Sequence, residues 1–352
     1  MSIFVLACAA MSDLQHMLEA ARHFGITDAK GVSVLTAGLM HKTFKIESSS
    51  GDFILQKLHT LISSEAVLRD GINVTEHLRA KGFYAPRAVR TVTGGMVHGI
   101  DDHIYRGYTF ISGQTITVAK NPQEIHEAGK IVGRFHEAMR DFPHAFESDL
   151  LLHQSRAICE RLIATLSAHT NHPLMTDEVR ALGSIITETL PTLYLPETLP
   201  KRHVHFDLKI SNILFDSERR AISIIDFDTC NHMPLPLEMG DAFRSWCGDE
   251  EERLDNVFSL QRFKAGWEGY VSTAGHLMTD AERAHIVQGI LLITLELAAR
   301  FLTDYFDDAY FGWNKDRYSS RRDHNLARAR GQRALFESLL EQREAAEAIV
   351  RG

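Results

Sequence analysis

Cysteine is scarce and scattered: the 352-residue sequence holds four, Cys8, Cys159, Cys230 and Cys247, with no C-x-x-C pair. That pattern excludes a disulfide framework and a cysteine zinc site, and it points to a reducing, cytoplasmic setting. A basic surplus is missing too. Lys and Arg number 38 against 46 Asp and Glu, a formal net charge of −8, whereas a nucleic-acid partner calls for a basic face. No stretch approaches the roughly 18 uninterrupted apolar residues of a membrane-spanning helix, so neither nucleic acid nor membrane is an expected partner. Internal repeats and low-complexity segments are lacking, and no obligate protein partner is evident. The short apolar run MSIFVLACAAM at the start has neither the basic leader nor the length of a secretion signal. The expectation there is a disordered or mis-assigned beginning, with Met11 as the true start.

What is present suits a globular protein with a substantial core: 44% hydrophobic and 24% charged residues. A chain of this length exceeds what one core usually supports, so two lobes are expected, 1–111 and 112–352. Ser12 opens an amphipathic helix that Gly25 stops, and β-rich runs follow from Val32, with Gly51-Asp52 as a turn before FILQKLH. A helix is expected over 64–81, then the strand HIYRGYTFI. Beyond it the periodicity is helical, with Ile125, Ala128, Val132, Phe135 and Met139 on one stripe and further helices near 154–169 and 176–190. The run from His285 to Phe306 is apolar almost all round, as a buried helix would be. His324 to Val350 reads as one long amphipathic helix. The fold class is therefore α+β, with a small antiparallel-sheet lobe followed by a larger, mostly helical one.

Chemistry concentrates in HVHFDLKISNILFDSERRAISIIDFDT, His203 to Thr229. A turn at Asp216-Ser-Glu-Arg-Arg would fold Asn212–Phe215 against Ala221–Asp226 and bring Asn212 beside Asp226. One carboxylate near a hydroxyl nucleophile, plus an Asn and Asp pair of hard oxygen ligands, is what magnesium-dependent phosphoryl transfer requires. Asp207 fits the first role as acceptor of the hydroxyl proton, Asn212 and Asp226 the second, and Lys209 could lie over the γ-phosphate. Two plainer readings stand beside this one. The same residues cap turns and end strands in many proteins, and His203, His205 and Asp207 alternate on one strand face, as hydrolase metal ligands can.

The pattern H-x-D-x-K-x-x-N followed by I-D-F resembles the catalytic loop and metal aspartate of the protein-kinase superfamily. No A-P-E element follows; GDAFR stands there instead. With FILQKLH, HFDLKISNILFD, IIDFDT, LELAARFLTDYFDDAYF and HNLARARGQ, the chain resembles the aminoglycoside phosphotransferase and choline kinase-like family, closest to its N-acetylhexosamine 1-kinases. The resemblance implies a bilobal kinase-like fold, ATP and Mg2+ as cofactors, and phosphorylation of a small hydroxyl compound, a sugar or N-acetylated amino sugar, possibly at the anomeric position. Aminoglycoside, choline or homoserine-type acceptors are the alternatives, and a nucleotide-binding pseudokinase is the alternative of another class. It further implies substrate contacts at Asp241, Arg300 and Tyr310. Each has a structural counter-reading: Asp241 follows a glycine as a helix cap does, Arg300 could pair with Glu296 one turn earlier, and Tyr310 could simply pack. Leu39, where the sugar kinases carry a histidine, departs from the pattern. In the small lobe Gly38 is a weak candidate for phosphate approach, and Lys57 is the expected phosphate-reaching cation, although strand alternation turns Gln56 to the opposite face and only one can point inward. His136 and His324 are expected to be structural histidines.

Overall fold

The computed structural model describes residues 15–35, 41–59, 64–148 and 152–352. The run Met1–Met11, Gly38 and Leu39 lie outside the described residues. Two compact units are present: one extends to Ser112 and includes His144–Ser148, the other comprises Gly113–Pro143 and the chain from Asp149. The fold is bilobal and protein-kinase-like, with an antiparallel sheet in the first unit and mostly helices in the second.

In the first unit, helix α1 (15–23) is followed by strands β1 (Ala29–Leu35), β2 (Lys42–Ser48) and β3 (Phe53–Lys57), helix α2 (Glu65–Ala80), and strands β4 (Ala88–Val89), β5 (Val97–Ile100) and β6 (His103–Thr109). The strands form one sheet in the order β1-β2-β3-β6-β4, with β5 also on β6. Its core is one face of the sheet: Phe44, Ile46, Leu55 and Tyr105 pack with Met17, Ala20, Ala21 and Phe24 around α1. Burial of these side chains, about 1.5–3 kcal/mol for each large one, holds α1 in place. Ser64 caps α2 by accepting from Val67 N at 3.3 Å. Asp70, buried on α2, accepts from His144 Nε2 at 2.6 Å and from the amides of Glu147 and Ser148. Those bonds draw His144–Ser148 into the first unit.

The second unit begins with α3 (Pro122–Met139), α4 (Ser155–Ala168) and α5 (Asp177–Thr189). Two short hairpin-like sheets follow. Strand β7 (Lys201–Val204) pairs with β10 (Asn231–Pro234), and β8 (Ile213–Phe215) pairs with β9 (Ala221–Ile224). Then come α6 (Leu235–Cys247), α7 (Leu260–Ala274), α8 (Asp280–Ala284), α9 (Ile286–Asp307), α10 (Arg321–Glu341) and α11 (Arg343–Arg351). Helices α3 and α7 meet through glycines; a Cβ at Gly129 would collide with the carbonyl of Gly266. Helix α9 is long and apolar enough to cross a bilayer by composition, yet 89% of its apolar window is buried inside the unit. The C-terminal segment is two helices rather than one. The break falls at Gln342, whose side-chain amide donates to Phe258 O and Ser338 O instead of extending the helical face. Cys159, Cys230 and Cys247 are buried, and no disulfide joins them.

Candidate active site

The β8–β9 hairpin forms across the turn at 216–220, where the Asp216 carboxylate accepts from Glu218 N and Arg220 N, each at 2.9 Å, and Arg219 takes φ +63°. Ile213 pairs with Ile224, and Ile225 N donates to Asn212 O at 2.9 Å, so Asn212 and Asp226 emerge side by side. Asn212 donates through Nδ2 to Asp207 O (2.8 Å) and Asp207 Oδ2 (3.0 Å). Its carbonyl oxygen therefore turns away from Asp207. Lys209 Nζ reaches Asp207 Oδ2 at 2.7 Å. Asp226 sits at φ +71°, a left-handed conformation that Asp tolerates better than most residues and that ends the strand sharply.

Phe206, immediately before Asp207, also has positive φ, +72°. For an aromatic residue this costs on the order of 1–3 kcal/mol and persists only where surrounding bonds over-determine it. Helix α6 supplies them from one face. Glu238, with no exposed surface, accepts from His205 N at 2.8 Å and Phe206 N at 2.7 Å; Ser245 Oγ accepts from Ile210 N at 3.0 Å; Trp246 Nε1 donates to Leu208 O at 2.8 Å. Positions seven and eight apart on a helix share a side, so three side chains grip four backbone groups of the loop. From the other direction His205 Nε2 donates to Ile225 O at 3.0 Å and Thr229 Oγ1 to His205 O at 2.7 Å, tying the loop to the end of β9. None of these supports was visible as a motif. The one signal was Glu238, a carboxylate set among the apolar residues of LPLEM.

Burial by itself would raise the Asp207 carboxyl, but the charge and hydrogen bond of Lys209, with His205 and Asn212, outweigh it and hold it at about 2. Burial likewise opposes the Lys209 ammonium, and the carboxylates of Asp207, Asp226 and Asp241 overcome it and raise its pKa. Asp226 and the carbonyl oxygen of Asn212 are hard oxygen donors of the kind Mg2+ takes, and a site with one or two protein ligands suits an ion that keeps its other positions for water and phosphate. His203 donates through Nδ1 to Met139 O (3.1 Å), His205 is committed to Ile225 O, and among the described residues no group of three His, Cys, Asp or Glu is placed to hold a metal. The hydrolase-like reading of His203, His205 and Asp207 is thereby set aside.

Asp241 lies in the middle of α6, not at a helix start, so the capping reading fails. It pairs with buried Arg244 at 2.8 Å through Oδ1, while its buried Oδ2 has no hydrogen-bond partner among the described residues. In the first unit, Lys57 shares the α1-covered face with Leu55 and with its neighbour across the sheet, Tyr105. Gln56 points to the opposite face, where it accepts from Arg106 Nε at 2.8 Å and donates to Thr43 Oγ1 at 3.3 Å.

The sequence profile of the APH phosphotransferase enzyme family matches residues 31–271, more than half of the chain. The chain belongs to this family. As a member it is an enzyme, a nucleotide- and metal-dependent phosphotransferase acting on a hydroxyl group of a small molecule. It is 24% identical over 302 residues to the homoserine kinase of Methylocella silvestris, covering 84% of this chain and 86% of that one. The homoserine kinase of Methylorubrum populi is 26% identical over 237 residues, 67% of this chain and 69% of its own. Among solved structures, a microcompartment-associated aminopropanol kinase superposes with a TM-score of 0.67 at 17% identity, covering 94% of this chain and 98% of the other. These matches do not single out N-acetylhexosamine 1-kinases.

In this phosphotransferase Arg300 and Tyr310 line one cavity of about 360 Å³ in the second unit, with Leu152, Gln154, Arg161 and Asp307. Arg300 is not paired with Glu296. That carboxylate is turned into the core, where it accepts from His153 Nδ1 at 2.7 Å and from Ser155 Oγ. The Arg300 guanidinium lies instead over the rings of Tyr310 and Phe311, 5.6 and 5.5 Å from their centroids. Asp304, also on the wall, is saturated by the amides of Ala309, Tyr310 and Phe311 and by Asn325, and so shapes the loop that presents Tyr310. His153, between wall residues Leu152 and Gln154, packs edge-on against Phe206 at 4.7 Å. The segment that lines the cavity thus adjoins the loop that carries Asp207.

Proposed function

We propose that this protein transfers the γ-phosphoryl group of ATP, with Mg2+, to the hydroxyl of a small acceptor bearing ionised groups, of which a hydroxy amino acid such as homoserine is the model. The observation that carries the transfer chemistry is the convergence of Asp207, Lys209, Asn212 and Asp226 at the end of one hairpin. Asp207 accepts a hydrogen bond from the acceptor hydroxyl and orients its oxygen toward the γ-phosphorus. A carboxylate held near 2 is too weak a base to take the proton early. The order that follows is cleavage of the bond to the bridging oxygen running ahead of bond formation from the acceptor oxygen, departure of ADP with the bridging electron pair, and late delivery of the hydroxyl proton to Asp207. That sequence suits the loose transition state of phosphoryl transfer. Lys209 exchanges its bond to Asp207 for a γ-phosphate oxygen, which removes the charge that depresses Asp207. Asn212 Oδ1 and Asp226 would hold Mg2+, which neutralises charge on the phosphate oxygens. Lys57 and Gly38 remain proposed nucleotide contacts in the first lobe, Asp241, Arg300 and Tyr310 proposed acceptor contacts in the second.

The acceptor class draws support from the cavity and from the relatives. Arg300, packed on aromatic rings rather than on a carboxylate, suits an acceptor carboxylate; Asp307 suits an ammonium, although it now meets Arg161 at 2.6 Å. The relatives named above act on homoserine and aminopropanol. An amino sugar is the second reading, favoured by Tyr310, which is 43% exposed beside Arg300 and offers an aromatic face to a sugar ring. Incubation with labelled ATP and Mg2+ and a panel of homoserine, aminopropanol, choline, N-acetylhexosamines and aminoglycosides decides between them. Label on homoserine is the expected result. Label only on a sugar would transfer the assignment to the second reading, and label on none would overturn both.

A further inference from the structure

Behind the catalytic loop runs a buried chain of polar side chains that phosphoryl transfer does not touch. Tyr270 on α7, His136 on α3 and Glu238 on α6 are each at most 5% exposed. Tyr270 OH lies 3.0 Å from His136 Nδ1, and His136 Nε2 lies 3.3 Å from Glu238 Oε1. The same carboxylate receives His205 N on Oε1 and Phe206 N on Oε2. Both Glu238 oxygens face backbone N–H groups and so act as acceptors, which makes His136 Nε2 a donor. Tyr270 OH stands at Nδ1 on the far side of the ring, its phenol pushed up in pKa by burial and kept protonated. The chain ends on the backbone of His205 and Phe206.

A buried carboxylate that lost one of three donors would be under-satisfied and prone to turn. The groups it holds are the amides of His205 and of the left-handed Phe206, the residue before Asp207. Resting on the assignment of Asp207 above, we infer that His136 is a positioning residue for phosphoryl transfer: with Tyr270 behind it, it locks the Glu238 carboxylate, which locks the Phe206 turn and aims Asp207. A histidine serving only to fill the core between α3 and α7 would have no effect on that turn.

The test compares His136→Leu, His136→Gln and Tyr270→Phe with the unmodified chain, by amide hydrogen exchange at His205 and Phe206 and by kcat and KM for ATP per folded molecule. Gln can restore the donor to Glu238; Leu cannot. For His136→Leu, exchange at the two amides should rise by about tenfold relative to the rest of the second unit, and kcat should fall by about tenfold with KM for ATP within about twofold. His136→Gln should recover most of both, and Tyr270→Phe, the mildest change, should shift both in the same direction as His136→Leu. Unchanged exchange, a kcat that stays level while exchange rises, or a Gln variant no better than Leu would overturn the inference. The exchange measurement needs no acceptor, so it judges the clamp even if the acceptor assignment fails.

Discussion

At the scale of single residues, the account places opposite demands on Asp207 and Asp226. Replacement of Asp207 by Asn keeps a hydrogen-bonding side chain but removes the proton acceptor. Turnover should fall by about 10²–10⁴-fold while the Kd for Mg-ATP, read by calorimetry, changes little. Asp226→Ala should instead weaken Mg-ATP binding itself, because a metal ligand is lost. The low pKa of Asp207 adds a pH prediction. A folded value of about 2 lies below the ordinary 3.8, so the carboxylate's contribution to stability is complete above about pH 4 and is lost as pH falls toward 2. Asp207→Asn should therefore flatten the acid limb of stability between pH 4 and 2 in denaturant titrations. An unchanged limb would contradict the Lys209–Asp207 pairing.

Secondary-structure elements explain why the loop keeps its shape. Trp246 on α6 satisfies Leu208 O from a fully buried position, so Trp246→Phe leaves a carbonyl unpaired. The expected loss is about 1–3 kcal/mol by chemical denaturation. Gly129→Ala presses a methyl group onto the backbone carbonyl of Gly266, which has no side-chain freedom to yield. A loss of about 1–3 kcal/mol and a lower Tm are expected, because helix α3 must move off α7. Much of this scale was legible in the sequence. The β8–β9 hairpin follows from the turn residues around Asp216, and α9 from its all-round apolar pattern. The role of α6 was not legible, since Glu238, Ser245 and Trp246 bond to backbone groups some 30 to 40 residues away and leave no periodic trace. The counter-reading that paired Arg300 with Glu296 fails for a related reason. Helical spacing offers Glu296, but His153 and Ser155, remote in sequence, claim that carboxylate first.

For the whole molecule, the two-lobed kinase-like fold was readable because strand-rich and helix-rich patterns segregate along the chain. The recruitment of His144–Ser148 into the first unit was not, because it depends on one buried carboxylate, Asp70, and three donors that follow α3. Acceptor identity is the least legible property, since it depends on a cavity assembled from the segment at 152–161 and the end of α9. Dependence on Mg2+ belongs to this scale as well: chelation should abolish transfer and added Mg2+ restore it, because Asn212 and Asp226 alone leave the phosphate charge uncompensated. The most direct measurement is transfer of labelled γ-phosphate from Mg-ATP to homoserine in a single turnover, by the unmodified chain and by Asp207→Asn at saturating nucleotide. The account predicts rapid label transfer in the first and a loss of at least about a hundredfold in the second, with nucleotide still bound. Equal rates in both would contradict it.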